Sequence, residues 1–199
     1  RIFCQEFGRG DPIVLIMGLG CCSAMWFRLA PRLARKHRVI LLDNRGAGQT
    51  SVDYYIVHRV STMARDVAAV MKAAAVPQAH VLGFSMGGMI AQQLAIDHSK
   101  QVRSLMLLAT NCGNPFAKLP RSEITNLLFS KGRLTPEMAL RAMHPFVYGS
   151  QTPAERISED DAVRLASYPA RRAYEAQLYG LLYWTSYWDL PGLKVPTLV

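Results

Sequence analysis

Five apolar residues in succession, Ile13-Val14-Leu15-Ile16-Met17, run into Gly18-Leu19-Gly20. A short apolar run with no polar alternation is the pattern of a strand buried on both faces, and the glycines mark a tight turn at its end. The pattern returns at Val39-Ile40-Leu41-Leu42, closed by Asp43 and a turn with Gly46 and Gly48. It returns again at His80-Val81-Leu82-Gly83-Phe84 and over Val102 to Ala109. Between these runs the period becomes helical. Ala24 to Lys36 carries Met25, Trp26, Leu29 and Leu33 at helical spacing, with Pro31 as a kink. Ser61 is placed to cap a helix whose apolar face is Met63, Val67, Val70, Met71 and Ala74, stopped before Pro77. Gly87 to His98 reads as a third helix. Strand and helix alternate from residue 13 to 109, which predicts an α/β fold: a mostly parallel sheet with helices on both faces.

After residue 111 the pattern changes. Cys112 to Leu190 has no strand signal, and Pro115, Pro120, Pro136, Pro145, Pro153 and Pro169 divide it into helix-length pieces. Beyond Pro191-Gly192, the residues Val195-Pro196-Thr197-Leu198-Val199 begin another apolar strand. The expected organisation is 1–111 as the N-terminal part of a core, 112–190 as a helical insertion above the sheet, and 191–199 as the start of a returning core strand. The chain begins at Arg1 and stops inside a strand, so it reads as truncated at both ends.

Composition narrows the class. With 199 residues and 50% hydrophobic content, one domain can bury a sufficient core without disulfide or metal staples. Disorder, collagen-like repeats and coiled coil are excluded. No apolar run reaches the roughly 18 residues of a membrane span, so no membrane partner is expected. The net charge of +9 is spread over scattered sites such as Arg32, Arg35, Lys36 and Arg38, with no interleaved aromatic stripe, so no nucleic-acid partner is expected either. The cysteines (Cys4, Cys21, Cys22, Cys112) show neither C-x-x-C spacing nor a zinc-ligand pattern. No metal and a reduced, cytoplasmic setting are expected.

The candidate chemistry lies in Gly83-Phe84-Ser85-Met86-Gly87, a G-x-S-x-G sequence between a predicted strand and a predicted helix. Glycines two residues either side of the serine let strand and helix backbones pass closely through a strained turn. The hydroxyl is then lifted above the sheet at the positive end of the helix.

With these residues in place, the chain resembles the α/β-hydrolase superfamily, in the group of small-molecule esterases, enol-lactonases and cofactor-free haloperoxidases. The resemblance rests on Leu15-Ile16-Met17-Gly18-Leu19-Gly20, Asp43-Asn44-Arg45-Gly46-Ala47-Gly48-Gln49-Thr50-Ser51 and Gly83-Phe84-Ser85-Met86-Gly87-Gly88. It implies Ser85 as nucleophile, forming an acyl-enzyme with a small ester or lactone and needing no cofactor. It also implies an oxyanion hole from the backbone N–H groups of Leu19 and Met86, and a structural turn built by Asp43 and Arg45. Met17 stands where the family often has histidine.

By the same resemblance the 112–190 segment is a helical cap, and the triad runs Ser, then acid, then His, with both later members expected after Val199. His98 lies about 20 Å from Ser85 along the helix. His144 belongs to the cap and is a candidate to face the pocket, while His37, His58 and His80 are expected on the surface or at strand edges. Asp97, Asp160, Asp161 and Asp189 read as solvated charges or caps, and Cys112 as a small buried thiol. Tyr174, Tyr179, Tyr183, Trp184, Tyr187 and Trp188 read as cap-to-core packing or as the wall of an apolar pocket. Within that wall Tyr183 and Trp184 are the candidate lining, with Trp26 below.

The rivals are haloperoxidase or perhydrolase chemistry on the same serine and a non-catalytic binding role should the chain end at Val199. A third is an NAD(P)-binding oxidoreductase. That last reading rests on Gly18-x-Gly20-x-x-Ser23 after a strand and Asp43 about twenty residues on.

Overall fold

Each unbroken apolar run becomes a strand. The computed structural model describes residues 1–51, 56–117, 121–130 and 134–199. Its strands are β1 (Cys4–Phe7), β2 (Asp11–Ile16), β3 (His37–Leu42), β4 (Ala79–Phe84), β5 (Val102–Leu108) and β6 (Thr197–Leu198). They form one sheet in the order β1-β3-β2-β4-β5-β6, parallel throughout except for β1, which runs antiparallel along β3. Of the apolar segment 195–199, only Thr197–Leu198 forms a strand, an exposed two-residue edge strand pairing parallel with β5, Thr197 opposite Leu105.

Alternate residues of each strand face opposite layers, and both layers are covered, which is why the runs show no polar alternation. Val14, Ile16, Ile40 and Leu42 pack with the helices α2 (Val60–Ala73) and α3 (Met86–Asp97) on one face. Ile13, Leu15, Val39, Leu41 and Leu82 pack with Trp26 and Ala30 on the other.

Two expectations need correction, and one strand was not expected at all. The segment Ala24 to Lys36 is not one helix: it makes a 3₁₀ turn over Ser23–Trp26 and a single helical turn, α1 (Ala30–Leu33). Pro31 in the first turn of α1 has no N–H to continue a helix from the preceding residues. The Ser23 N–H is instead drawn to Asp43 Oδ1 at 2.7 Å. Ser61 is not the cap of α2; Arg59 is, with extended φ −64° and ψ 144°, because burying Val60 (1% exposed) requires the helix to begin earlier. Finally, β1 carries no apolar signal since all four residues are exposed. Its pairing and the Arg38–Glu6 bridge at 2.7 Å hold it on the sheet edge.

Between β5 and β6 the chain leaves the sheet and forms α4 (Ser122–Ser130), α5 (Pro136–Val147), α6 (Ala154–Ala166) and α7 (Arg171–Leu181). The two ends of this excursion are tied together by a bridge between Gly113 and Thr185 and by the Ser186 N–H on Cys112 O at 2.9 Å. Helix α7 buries Ala173, Tyr174, Ala176, Gln177 and Leu178, which places its inner face against the loops at the strand ends. No described helix is long and apolar enough to cross a membrane.

Candidate active site

Ser85 joins β4 to α3 with φ 55° and ψ −120°, a left-handed φ that a non-glycine residue holds at a cost of about 1–3 kcal/mol. The surroundings enforce it. The Ser85 N–H donates to Leu108 O at 2.9 Å, and its carbonyl accepts from Thr110 Oγ1 and the Gly88 N–H, each at 2.8 Å. The flanking glycines are sterically required. A Cβ on Gly83 would lie 2.3 Å from Gly87 O, and one on Gly87 would lie 2.1 Å from Ile16 O. Gln92, 2% exposed, secures the start of the helix by donating to Gly88 O and Asn111 O while accepting from Ser186 Oγ at 2.7 Å.

The loop after β2 lies directly beside this elbow: a Cβ on Gly18 would be 3.1 Å from Ser85 Cβ. Among the described residues, no acceptor takes the N–H of Leu19 or of Met86. Met86 opens α3, so its N–H also carries the positive end of the helix dipole. The next N–H in the loop, that of Gly20, donates to Gln177 Oε1 at 2.8 Å, while Gln177 Nε2 donates to Arg45 O at 2.5 Å. Gln177 is fully buried.

Asp43, 2% exposed, is committed to the scaffold. Its carboxylate accepts from the N–H groups of Ser23 at 2.7 Å and Gln49 at 2.8 Å, and its carbonyl accepts from Thr50 Oγ1 at 2.7 Å. Arg45 forks onto Asp66 at 2.5 and 2.9 Å, and that carboxylate holds the guanidinium above its ordinary value. This geometry overturns the dinucleotide reading. A buried carboxylate already accepting two backbone N–H groups offers nothing to a ribose, and only a 3₁₀ turn follows the glycines where a pyrophosphate would need a helix end.

Beside Leu19 and Gly20 lies a cavity of about 120 Å³, with Met25, Leu128, Leu140 and Met143 among its lining residues. Tyr168 and Tyr174 also line it; burial pushes both phenols up, so they stay neutral. The expected lining residues sit elsewhere. Trp26 is 6% exposed and packs under the sheet. Trp184 is drawn into the core, its Nε1 donating to Gln93 Oε1 at 2.7 Å. Tyr183, the next residue out, is left 95% exposed, and both border a separate surface groove with Val57 and Arg59.

None of the histidines meets Ser85. His98 ends α3, and His144 is bound to Asp161 at 2.9 Å. His80 lies on the interior strand β4, against Ser104 Oγ at 2.7 Å, with His37 edge-on to it. His58 corrects its surface assignment: it is 2% exposed, because the chain entering α2 runs under α7, with the His58 N–H on Ala176 O at 2.9 Å. Asp97 accepts from Gln93, and Asp160 from Arg28 and Tyr148. The Cys112 thiol is half-buried and lies 3.9 Å from Gly113 O. No group of three metal-ligating side chains occurs among the described residues.

Sequence reasoning missed Gln177 and Arg164. Gln177 is a polar residue inside the apolar stripe of Ala173, Tyr174 and Leu178, and that interruption was its signal. Arg164, which also lines the cavity, stands four residues after Asp160 and reads from sequence as an ordinary helical ion pair.

Comparison with known proteins gives a coherent picture. A family model described as the alpha/beta hydrolase fold matches residues 11–192. A putative carbamate hydrolase RutD from Azorhizobium caulinodans is 31% identical over 202 residues, covering 100% of this chain and 75% of that protein. A pimeloyl-[acyl-carrier protein] methyl ester esterase from Aeromonas hydrophila is 35% identical over 107 residues, covering 54% of this chain and 41% of its own length. Among solved structures, an esterase from Exiguobacterium antarcticum superposes with a TM-score of 0.85 at 22% identity, over 98% of this chain and 75% of that one. The enol-lactonase from Burkholderia xenovorans gives 0.84 at 21% identity, over 100% and 76%.

Proposed function

The chain belongs to the α/β-hydrolase fold family and is a hydrolase of that fold; on that premise, we propose that it cleaves small carboxylic esters or lactones through an acyl-enzyme on Ser85. The observation that carries this reading is the strained Ser85 backbone with the Gly18 loop against its side chain. The hydroxyl has no structural task among the described residues, while the backbone around it is held by Leu108, Thr110 and Gly88. Strain maintained around an unoccupied nucleophile supports a catalytic role.

In the proposed reaction, Ser85 Oγ adds to the substrate carbonyl while a base takes the hydroxyl proton. The oxyanion that forms is held by the Leu19 and Met86 N–H groups. Collapse breaks the bond to the alcohol oxygen, which receives the proton, and water then releases the acid by the same sequence. The base is not among the five histidines in the sequence as they are placed. The family's chain order puts the acid and the histidine after the strand containing Thr197, and the reading adopts that order. In this account α4–α7 are the cap, closing over the serine through Gln177. The curated relatives, one a putative carbamate hydrolase and one a methyl ester esterase, bracket the bond type without fixing the substrate.

The test is Ser85→Ala in the full-length protein, assayed on 4-nitrophenyl acetate. The variant is expected to fold like the parent and lose about 10⁴-fold or more in kcat. Full activity in a folded Ser85→Ala protein sinks the reading.

A further inference from the structure

The cavity beside Leu19 is lined mainly by apolar side chains, with Ser167, Tyr168 and Tyr174 adding polar groups and Arg164 the one charged residue of its lining. Arg164, projecting from α6 between Val163 and Leu165, forms part of its wall, and its Nε is buried with no acceptor among the described residues. A guanidinium does not shed its proton, so a buried Nε–H without an acceptor is a standing desolvation cost. The acids nearest in sequence do not relieve it. Glu159 and Asp160 are both taken by Arg28, at 2.9 and 2.8 Å, and Asp160 also accepts from the Tyr148 hydroxyl at 3.2 Å. Asp161 is taken by His144 at 2.9 Å. Three consecutive carboxylates on the helix are therefore engaged by other partners.

We infer that Arg164 is the subsite for a carboxylate at the remote end of the substrate, so the ester or lactone cleaved at Ser85 is a monoanion. The inference rests on the Ser85 reading for its chemistry and adds the substrate class. A planar guanidinium edge matches a carboxylate in two parallel hydrogen bonds. No second arginine and no lysine appears among the cavity's lining residues, which fits a single negative charge better than a phosphate dianion. The aliphatic stretch between carboxylate and ester then lies against Met25, Leu140 and Met143. Ser85 is not itself a lining residue; the cavity approaches it through Leu19, whose neighbour Gly18 lies against the Ser85 side chain, and the reacting carbonyl is placed on that side. Arg164 is thereby a specificity-determining residue with a charge-assisted bond made only to substrate.

The experiment compares monomethyl glutarate with methyl pentanoate, equal in acyl length and differing only in the terminal carboxylate. Release of acid is followed by titration in the full-length protein. The parent is expected to prefer the monoanion. Arg164→Met should lower kcat/KM for it about 10- to 100-fold, mainly through KM, and change the neutral ester less than about threefold. Arg164→Lys should keep part of the preference. A parent without preference, or equal losses on both esters in Arg164→Met, overturns the inference.

A second arm separates this from the Ser85 reading. Calorimetric titration of the Ser85→Ala protein with the same two esters should show tighter binding of monomethyl glutarate, abolished by adding Arg164→Met or, if that variant does not fold, Arg164→Gln. This holds whether or not Ser85 proves to be the nucleophile, and equal binding of the two esters overturns the inference.

Discussion

Gln177 Oε1 accepts the Gly20 N–H at 2.8 Å across 157 positions of sequence, joining the inner face of α7 to the loop that follows β2. The same amide donates to Arg45 O, so one fully buried side chain fixes two core loops beneath the helical segment. Because Leu19 immediately precedes Gly20, the orientation of the Leu19 N–H is set in part by this bond.

Gln177→Leu keeps the volume and removes both hydrogen bonds, leaving the Gly20 N–H and Arg45 O without their side-chain partner. The expected loss is about 2–4 kcal/mol in urea unfolding. With Leu19 as the proposed oxyanion donor, kcat of the full-length protein should fall while KM changes little, since such a donor acts on charge that develops during reaction. A loss below about 0.5 kcal/mol with unchanged kcat contradicts this role.

Gly87→Ala places a methyl group 2.1 Å from Ile16 O, against backbone that cannot retreat without opening the sheet. It is expected to cost more than about 3 kcal/mol or to prevent folding, read by thermal melting. Gly149→Ala meets nothing within 4 Å and should stay within about 0.5 kcal/mol of the parent.

These contrasts show what the sequence disclosed. The two-faced burial of Val14 and Leu15 left an unbroken apolar run, and the steric demand at Gly83 and Gly87 left a G-x-S-x-G spacing, so the sheet and the serine elbow were legible. The edge strand β1 was not, because its four residues are exposed and its stability comes from pairing with β3. The cavity lining was obscured for a different reason. Aromatic spacing around Tyr183 suggested a pocket wall, but Trp184 is captured by Gln93, which turns Tyr183 outward. That Arg164 is left without Asp160 was equally hidden, since Arg28 reaches Asp160 from 132 residues away.

Asp43→Ala orphans the N–H groups of Ser23 and Gln49 in a buried turn. Charge-assisted bonds of this kind are each worth about 1.5–3 kcal/mol, so a loss of about 3–5 kcal/mol in chemical denaturation is expected. A loss under about 1 kcal/mol contradicts the scaffold assignment.

His80 supplies a pH dependence. Burial first, then the neighbouring Arg103 and His37 charges, hold its imidazole below the usual 6.5, with Asp11 pulling the other way. The folded state thus binds fewer protons at His80 than the unfolded chain does. Its contribution is fully present above pH 6.5 and is lost as pH falls through the lowered folded value. Urea midpoints measured from pH 8 to 5 should fall less steeply for His80→Asn, whose amide can still meet Ser104. Parallel profiles contradict the assignment.

The most direct test of the central claim is covalent. The full-length protein is treated with a fluorophosphonate, and its intact mass, peptide map and residual esterase activity are followed together. A single adduct on Ser85, appearing as activity disappears and absent from Ser85→Ala, is the predicted result. Hydrolysis that continues with Ser85 unlabelled, or an inactivating adduct on another residue, contradicts the account.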